Sequence, residues 1–254
     1  MKKIGLVLGV IASFYALSAC ALMQPSGTWR YKMTVYVDTP EGMKSGSAVR
    51  EIRAWDNTEQ YNPIVGMWGG CGFDVKGEAV VVDLGERGTL FALLSQGGSS
   101  DYAHRVFYHT FPQPKGRGGE CLAEGIRYYE QLEKPATEVP LRERPMMVVF
   151  KDRNDPTSVQ LVYKVDSEEK RLLNDYGSTY VKTIYKPDDH FEELFGEGVK
   201  LAGVKIETTN ERVTEEVRKW LPSYKDREKY MTWFRGLKYG DPLKIGPSDF
   251  KKNY

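Results

Sequence analysis

The sequence predicts an α+β protein that is mainly β, with a twisted antiparallel sheet or a β-sandwich and a helical C-terminal part. Alternating apolar and polar residues, typical of half-buried strands, recur between residues 28 and 208. Sixteen tyrosines and five tryptophans favour a strand-rich core over a helical bundle. Apolar residues at helical spacing appear only late in the chain. We therefore expect residues 28–254 to form a single, mainly β domain.

The first two strands are predicted to form an antiparallel hairpin. Residues 28–37 alternate between apolar and polar side chains. Residues 38–42 then supply the aspartate, proline and glycine that favour a turn. A second extended run follows over residues 46–55, with Ala48 and Ile52 on one face.

Another hairpin is predicted from two apolar runs, residues 79–84 and 90–94, that are joined by a turn over residues 85–88. Since both runs are nearly continuous in apolar residues, we expect central strands that are covered on both faces. Further strands are predicted over residues 146–150, from residue 157 onward and over residues 199–208.

Three helices are predicted in the last third of the chain. One begins near Pro187 and ends at Gly196, because proline suits the first helical turn and glycine suits a helix end. A short helix starts at Thr214. A longer one, which the side chain of Ser223 can cap, extends to about Leu237.

Residues 1–19 have the layout of a secretory signal. Two lysines precede an uncharged run over residues 4–19, and small residues stand immediately before Cys20. These 16 residues fall short of the roughly 20 that span a bilayer comfortably. The last four, Leu17-Ser18-Ala19-Cys20, resemble the lipobox of bacterial lipoprotein signal peptides.

That resemblance implies that the Cys20 thiol takes a diacylglyceryl group and that the chain is cut before this residue and then acylated. Residues 20–27 would form a lipidated tether, since two or more acyl chains hold a soluble domain stably at a membrane. Ala21 follows the cysteine where an aspartate favours retention in the inner membrane, so the outer membrane is favoured. The alternatives are an ordinary cleaved signal and an uncleaved anchor helix, with Cys20 incidental.

The composition after residue 19 indicates a soluble body without affinity for nucleic acid. Of 36 basic residues, two lie in the signal, which leaves 34 against 35 acidic residues and a net charge of −1. Such a balance gives no general attraction to phosphate backbones. The chain contains no second apolar run of transmembrane length.

Cys71 and Cys121 are the two cysteines that remain after Cys20. In an oxidising envelope, an even pair with nothing else to bind favours one disulfide. The alternative is two separate buried thiols, which behave as small apolar side chains.

The three histidines do not predict a metal site. His104 and His109 are five residues apart, a spacing that puts two side chains on different faces of a helix and of a strand. His190 is remote from both in sequence. No established zinc, phosphate-binding or nucleophile-elbow motif is present. We therefore predict no catalytic residue, no metal and no cofactor.

Two acidic groups have a functional and a structural interpretation. Asp189 and Glu193, four residues apart, could act as general acid and base, but their place at a predicted helix start is explained by the helix dipole. Asp152, Asn154 and Asp155 could surround a calcium ion, but they lack the twelve-residue loop pattern and favour a tight turn.

The C-terminal tail, residues 223–254, interleaves basic and aromatic residues. Most of its apolar members share one helical stripe, which favours packing against the sheet. The alternative is contact with anionic lipid head groups or glycan strands, for which basic and aromatic side chains together are suited.

Two glycine-rich segments form the candidate recognition surface. The first, "VGMWGGCGF", carries Trp68; the second, residues 96–119, is predicted to be a long surface loop with Tyr102, Phe107 and Tyr108. A disulfide between Cys71 and Cys121 would join the two segments, and loops on a rigid sheet commonly carry binding. The alternative is that these aromatic residues fill a peripheral core.

The segments "WRYKMTVYVDTPEGMKSGSAVREIRA" and "GEAVVVDLGERGTLFALL" make most of the chain similar to a group of proteobacterial envelope proteins, and this resemblance implies no activity. We therefore expect a membrane-anchored, periplasm-facing lipoprotein that acts as a non-catalytic binding or structural module for a protein, glycan or lipid partner. A hydrolase of envelope material with an unrecognised site is the alternative.

Overall fold

The computed structural model describes residues 24–96, 99, 101–115, 118–173, 178–222 and 227–253. Within these ranges the chain is mainly β, with antiparallel sheets and a few helices, as predicted. The strands are β1 Ser26–Thr39, β2 Gly42–Asp56, β3 Tyr61–Asn62, β4 Met67–Trp68, β5 Cys71–Glu78, β6 Val80–Asp83, β7 Thr89–Ala92, β8 Thr137–Glu138, β9 Met147–Phe150, β10 Val159–Leu173, β11 Thr179–Asp189, β12 Lys200–Thr208 and β13 Lys251–Lys252. The α-helices are α1 Tyr102–Thr110, α2 Ala123–Glu130, α3 Phe191–Phe195, α4 Arg227–Gly236 and α5 Pro247–Phe250.

These strands form two main sheets and a small ribbon. The first sheet has the order β13-β5-β2-β1-β12-β8, and the second has the order β11-β10-β9-β7-β6. Strands β3 and β4 pair only with each other. In the described part of the chain, no helix is long and apolar enough to cross a membrane.

The long β1–β2 hairpin organises the first sheet. Its pairs run from Ser26 opposite Trp55 to Thr39 opposite Gly42, around the predicted turn. Along β1, every second side chain faces the core because successive residues of a strand point to opposite faces. Its buried large side chains are Trp29, Tyr31, Met33, Val35 and Val37.

The last two residues of the segment predicted to be a tether, residues 20–27, belong to the first sheet. Ser26 and Gly27, which the sequence assigned to the tether, belong to β1. The carbonyl oxygen of Pro25 accepts a hydrogen bond from the amide of Asp56, at 2.8 Å. Within the described residues, the chain is therefore paired with β2 from Pro25 onward.

The main core lies between the two sheets and is closed by α1, α2 and α3. A second apolar cluster lies against another part of the second sheet, where Phe91, Phe150 and Phe250 contact one another with ring centroids 5.5–5.8 Å apart. Tyr230 of α4 is buried and donates a hydrogen bond to the carbonyl of Ile245. Tyr230 and Phe250 of the tail therefore contribute to packing, whereas Tyr239 is fully exposed.

Residues 96–119 are not the long surface loop that their glycine, serine and proline content predicts. They contain α1, whose residues Ala103 and Val106 are fully buried in the main core. Since aromatic residues have modest helix propensity, this nine-residue helix is weakly indicated by its sequence and is held by tertiary packing.

The late helices are shorter than predicted. Pro187 lies in β11 rather than at a helix start, and α3 covers only five residues before Gly196, whose φ of 100° ends it. The segment after Thr214 forms a single 3-10 turn, Val217–Lys219. Ser223 lies outside the described residues, and α4 ends at Gly236, close to the predicted position.

Candidate functional site

The predicted disulfide between Cys71 and Cys121 is confirmed. Cys71 is the first residue of β5, and Cys121 lies just before α2, with their Cα atoms 5.5 Å apart. This bond closes a loop of sequence separation 50 and ties the first sheet to the start of α2.

Asp56 fixes the same region from the end of β2. Its carboxylate accepts hydrogen bonds from the amides of Thr58 and Ala123, both at 3.0 Å, and from the hydroxyl of Thr58. Although burial opposes the change, these hydrogen bonds lower the pKa of Asp56. Since Ala123 is the first residue of α2, the carboxylate also satisfies an amide that the helix leaves unpaired.

An exposed hairpin, residues 61–68, projects from this base, and we call it the apolar hairpin. It pairs β3 with β4, and the rings of Tyr61 and Trp68 lie 5.4 Å apart across the strands. At its tip, the amide of Ile64 donates to the side chain of Asn62, and Gly66 adopts a φ of 67°. Its large exposed side chains are Tyr61, Ile64, Val65, Met67 and Trp68.

Trp68 is exposed, as the predicted recognition surface requires, but its three proposed companions are not. Tyr102 and Phe107 are fully buried and Tyr108 is nearly so, which makes their assignment to an exposed surface wrong. Tyr102 donates a hydrogen bond to the carbonyl of Glu143, and burial raises its pKa well above the usual range. These rings pack in the core because α1 turns them towards β1.

The other members of the apolar hairpin were missed by the sequence analysis. A signal for them exists: no charged residue occurs between Glu59 and Asp74, and "NPIVG" combines turn-forming residues with two large aliphatic side chains. A charge-free apolar run around a turn predicts an exposed tip when the run is too short to form a core strand.

A second exposed element is the outer part of the β10–β11 hairpin, residues 166–173 and 179–186, which we call the β-arm. Its strands pair with each other from Asp166 opposite Lys186 to Leu173 opposite Thr179. The pairing of β10 with β9 covers only Val159 to Tyr163 and does not extend along this part. Most side chains of the β-arm are exposed. Leu173, Val181 and Tyr185 lie on one face of it, because cross-strand partners and every second residue share a face.

A shallow cleft of about 380 Å³ brings several titratable residues together at the edge of the first sheet. It is lined by Asp101, His104, Ser248 and Lys252, among others. The His104 ring stacks on Phe73 with centroids 4.6 Å apart, and burial lowers the pKa of both His104 and Lys252. Among the described residues, no hydrogen bond joins His104 to Ser248.

The remaining histidines are held in ion-pair clusters. His109 lies 2.6 Å from the buried carboxylate of Glu143, which also contacts Arg105 and Arg142 at 3.3 and 3.2 Å. His190 lies between two carboxylates at 2.9 and 3.0 Å, and its hydrogen bond with Glu193 raises its pKa. These contacts connect neighbouring segments of the chain.

Most of the acidic residues considered for chemistry bind backbone amides instead. Asp152 and Asp155 accept from amides two residues ahead, at 2.8 and 2.9 Å, as in a tight turn. Asp189 accepts from the amide of Phe191 at the start of α3, whereas Glu193 contacts the ring of His190 at 2.9 Å. Across the described ranges, no three His, Cys, Asp or Glu side chains form a group that could hold a metal ion.

A larger groove of about 680 Å³ lies beside the C-terminal end of α2. Its walls are formed by Thr28, Glu130, Lys134, Thr208 and Asn210, among others. The lining is mainly polar, and it has neither the enclosed apolar walls of a small-molecule site nor a histidine or cysteine.

Comparison with known proteins finds no matching family model, no matching curated protein and no matching solved structure.

Proposed function

We propose that this protein is a lipid-anchored protein of the bacterial cell envelope that acts as a non-catalytic binding or structural module for a protein, glycan or lipid partner. The anchor is Cys20, at the end of the lipobox-like sequence Leu17-Ser18-Ala19-Cys20. Cys20 lies outside the described residues. The disulfide supports an exported protein, because such bonds persist in oxidising compartments.

The observation that carries the binding function is the β-arm. An isolated two-stranded ribbon is at best marginally stable in water. The β-arm also exposes large apolar side chains, which is unfavourable in water. Contact with a partner would bury Leu173, Val181 and Tyr185 together, since they share one face. Charged side chains on the arm keep it soluble when no partner is bound. One of them, Lys186, forms an ion pair with Glu168 at 3.0 Å.

The test places a photo-reactive amino acid in the acylated protein in intact cells. We expect substitution at Val181 or Tyr185 to capture the same molecule, because both side chains belong to the proposed contact face. Tyr239 is the matched control, since it is fully exposed but lies outside the arm. Capture at the arm that is no stronger than capture at Tyr239 contradicts the proposal.

The lipid anchor has its own measurement, the intact mass of the membrane-extracted protein. We expect a chain that lacks residues 1–19 and carries acyl chains, and a Cys20→Ser variant without them. A mass without acyl chains contradicts the anchor.

The second candidate function is an envelope hydrolase, favoured by the cleft that contains Asp101, His104 and Ser248. A histidine with a lowered pKa is neutral near pH 7, as a general base must be. A fluorophosphonate probe tests this function, since it labels activated serines. Labelling of the parent protein that disappears in Ser248→Ala would favour the hydrolase over the binding module.

A further inference from the structure

We propose that the apolar hairpin, residues 61–68, inserts into the surface of the same bilayer that holds Cys20, so that the protein meets its membrane at two points. This inference rests on the proposed lipid anchor and names the lipid surface as the partner of the hairpin.

The side chains of the apolar hairpin suit a membrane interface. Ile64, at the tip, is 92% exposed, and Trp68 is 67% exposed. Tryptophan and tyrosine are enriched where lipid head groups meet the hydrocarbon, and apolar side chains beside them enter the acyl region. An exposed apolar group of this kind is unfavourable in water unless another surface covers it.

The hairpin leaves the sheet close to the point where the described chain begins. Ser26 pairs with Trp55, Pro25 accepts from the amide of Asp56, and the hairpin segment leaves the sheet at the next residue, Asn57. The chain therefore enters the body and the hairpin leaves it at neighbouring points of one sheet end.

The lengths of the two segments are compatible with a common bilayer. Five residue steps separate Cys20 from Pro25, which limits their distance to roughly 18 Å. Seven steps separate Asn57 from Ile64, which limits their distance to about 25 Å, and the turn closed by the amide of Gln60 and the carbonyl of Asn57 shortens it. A tether of at most roughly 18 Å keeps this end of the sheet close to the bilayer that holds Cys20, which is the condition for contact by a tip that projects from the same end.

The base of the hairpin is fixed before any contact is made. The amide of Asn57 donates to the carbonyl of Gly70 at 3.0 Å, and that of Gly69 donates to the carbonyl of Gln60 at 2.7 Å. A Cβ atom at Gly69 would overlap the carbonyl of Asn57, so glycine is required for this close approach. Cys71, which pairs with Asp56 next to this base, is held by the disulfide to Cys121. The base of the hairpin therefore loses little conformational entropy when the tip inserts.

The insertion should depend on apolar contact rather than on charge. No charged residue lies between Glu59 and Asp74, and Asp74 itself is paired with Arg53 at 2.6 Å. We therefore expect the contact to persist in about 1 M salt, where the screening length falls to about 3 Å.

The experiment uses the acylated full-length protein in vesicles of phosphatidylethanolamine and phosphatidylglycerol. In Ile64→Cys, the new residue is the only free thiol, because Cys20 is acylated and the other two cysteines are bonded. A fluorescent label on it should shift to the blue and be quenched by lipids with a nitroxide about 5–10 Å below the head groups. The same label in Tyr239→Cys should remain in water.

A second variant separates insertion from the properties of the label. Val65→Asp, added to the labelled protein, should abolish the blue shift, because it places a charge at the tip. Met43→Asp is the matched control, since Met43 is as exposed as Val65 but lies in β2, outside the apolar hairpin and the β-arm, and it should leave the shift unchanged.

The outcomes separate this inference from the proposed function. An acylated protein whose Ile64 label stays in water refutes insertion while the lipid anchor stands, and a protein whose mass lacks acyl chains refutes both. A label that is shielded in cells but not in protein-free vesicles shows that a protein covers the hairpin, which also overturns the inference.

Discussion

Arg50 is a charged side chain that is fully buried in the first sheet. Its guanidinium donates to the carbonyl of Glu78 at 3.2 Å and to the hydroxyl of Tyr31 at 3.4 Å, while one of its terminal nitrogens has no hydrogen-bond partner. In the part of the chain that the structure describes, no carboxylate lies within ion-pairing distance of it. A buried charge that is only partly satisfied costs stability.

This environment predicts that the volume of Arg50 matters more to folding than its charge. We expect Arg50→Ala to lower the free energy of unfolding by about 3 kcal/mol, as other large-to-small core substitutions do. Arg50→Met keeps the length of the side chain and removes the charge, so its unfolding free energy should stay within about 1 kcal/mol of the parent or exceed it. Denaturant unfolding measures the free energy of unfolding of both variants. If both lose the same amount, the hydrogen bonds of the guanidinium contribute more to stability than the volume of the side chain.

His104 gives the protein a predictable dependence of stability on pH. Because burial lowers its pKa below the usual 6.5, the unfolded chain takes up a proton on this histidine before the folded chain does. Its contribution to stability is therefore present above pH 6.5 and is lost as the pH falls towards the pKa of the folded state. We expect His104→Gln to lose less stability than the parent between about pH 7.5 and pH 5.5.

His190 is the control for this titration, since its pKa is raised by Glu193 and the sign is reversed. Its contribution is present at low pH and is lost as the pH rises above 6.5 through the pKa of the folded state. His190→Gln should therefore change the slope of stability against pH in the opposite direction. Identical slopes for both variants and the parent would contradict the assignment.

At the scale of elements, the two sheets meet at Gly46. A Cβ atom at this position of β2 would overlap the carbonyl oxygen of Val81 in β6. Strand β6 is the last in the hydrogen-bond order of its sheet, although the sequence predicted a central strand. Its inner side chains, Val80 and Val82, are nevertheless fully buried, because β6 packs closely across β2.

We predict that Gly46→Ala lowers the free energy of unfolding by about 1–3 kcal/mol, as overpacking of a core does. Gly70→Ala is the matched control, since no atom lies within 4 Å of its added Cβ, and it should change stability by less than about 0.5 kcal/mol. Chemical denaturation compares the two, and a neutral Gly46→Ala would mean that the sheets can separate here without cost.

At the scale of the whole molecule, the protein consists of a packed body and two exposed hairpins. The body contains both sheets, their core and the C-terminal helices, whereas the β-arm contributes few buried side chains. The packing of the body therefore involves other parts of the chain than the partner contact that we propose.

This division predicts that the outer β-arm can be removed without unfolding the body. Replacing residues 169–183 by Asn-Gly joins Glu168 to Ile184, which face each other in the arm, through a turn that suits a hairpin. The melting temperature should stay within about 3 °C of the parent, which is about 1 kcal/mol for a domain of this size. A larger loss in a thermal scan would show that the arm stabilises the body.

The sequence by itself determined the features that depend on local pattern. The alternation along β1, the turn before Gly42 and the apolar runs on either side of Gly85 predict their strands correctly, since side-chain period and turn chemistry act between near neighbours. The pairing of Cys71 with Cys121 was favoured by their even number together with the expected oxidising compartment, and the structure decided it against two separate thiols. The lipobox-like segment stays a prediction, because it lies outside the described residues.

Only the tertiary structure decided which aromatic side chains are buried. Tyr102, Phe107 and Trp68 all belong to segments with several glycines, yet the first two enter the core and the third is exposed. The difference arises because α1 packs against β1, whereas the apolar hairpin extends from the end of β2 and its tip is left exposed by the residues that the structure describes. Burial of these rings, like that of Arg50, depends on contacts between residues far apart in the chain. Such contacts produce no periodic pattern of apolar residues in the local sequence.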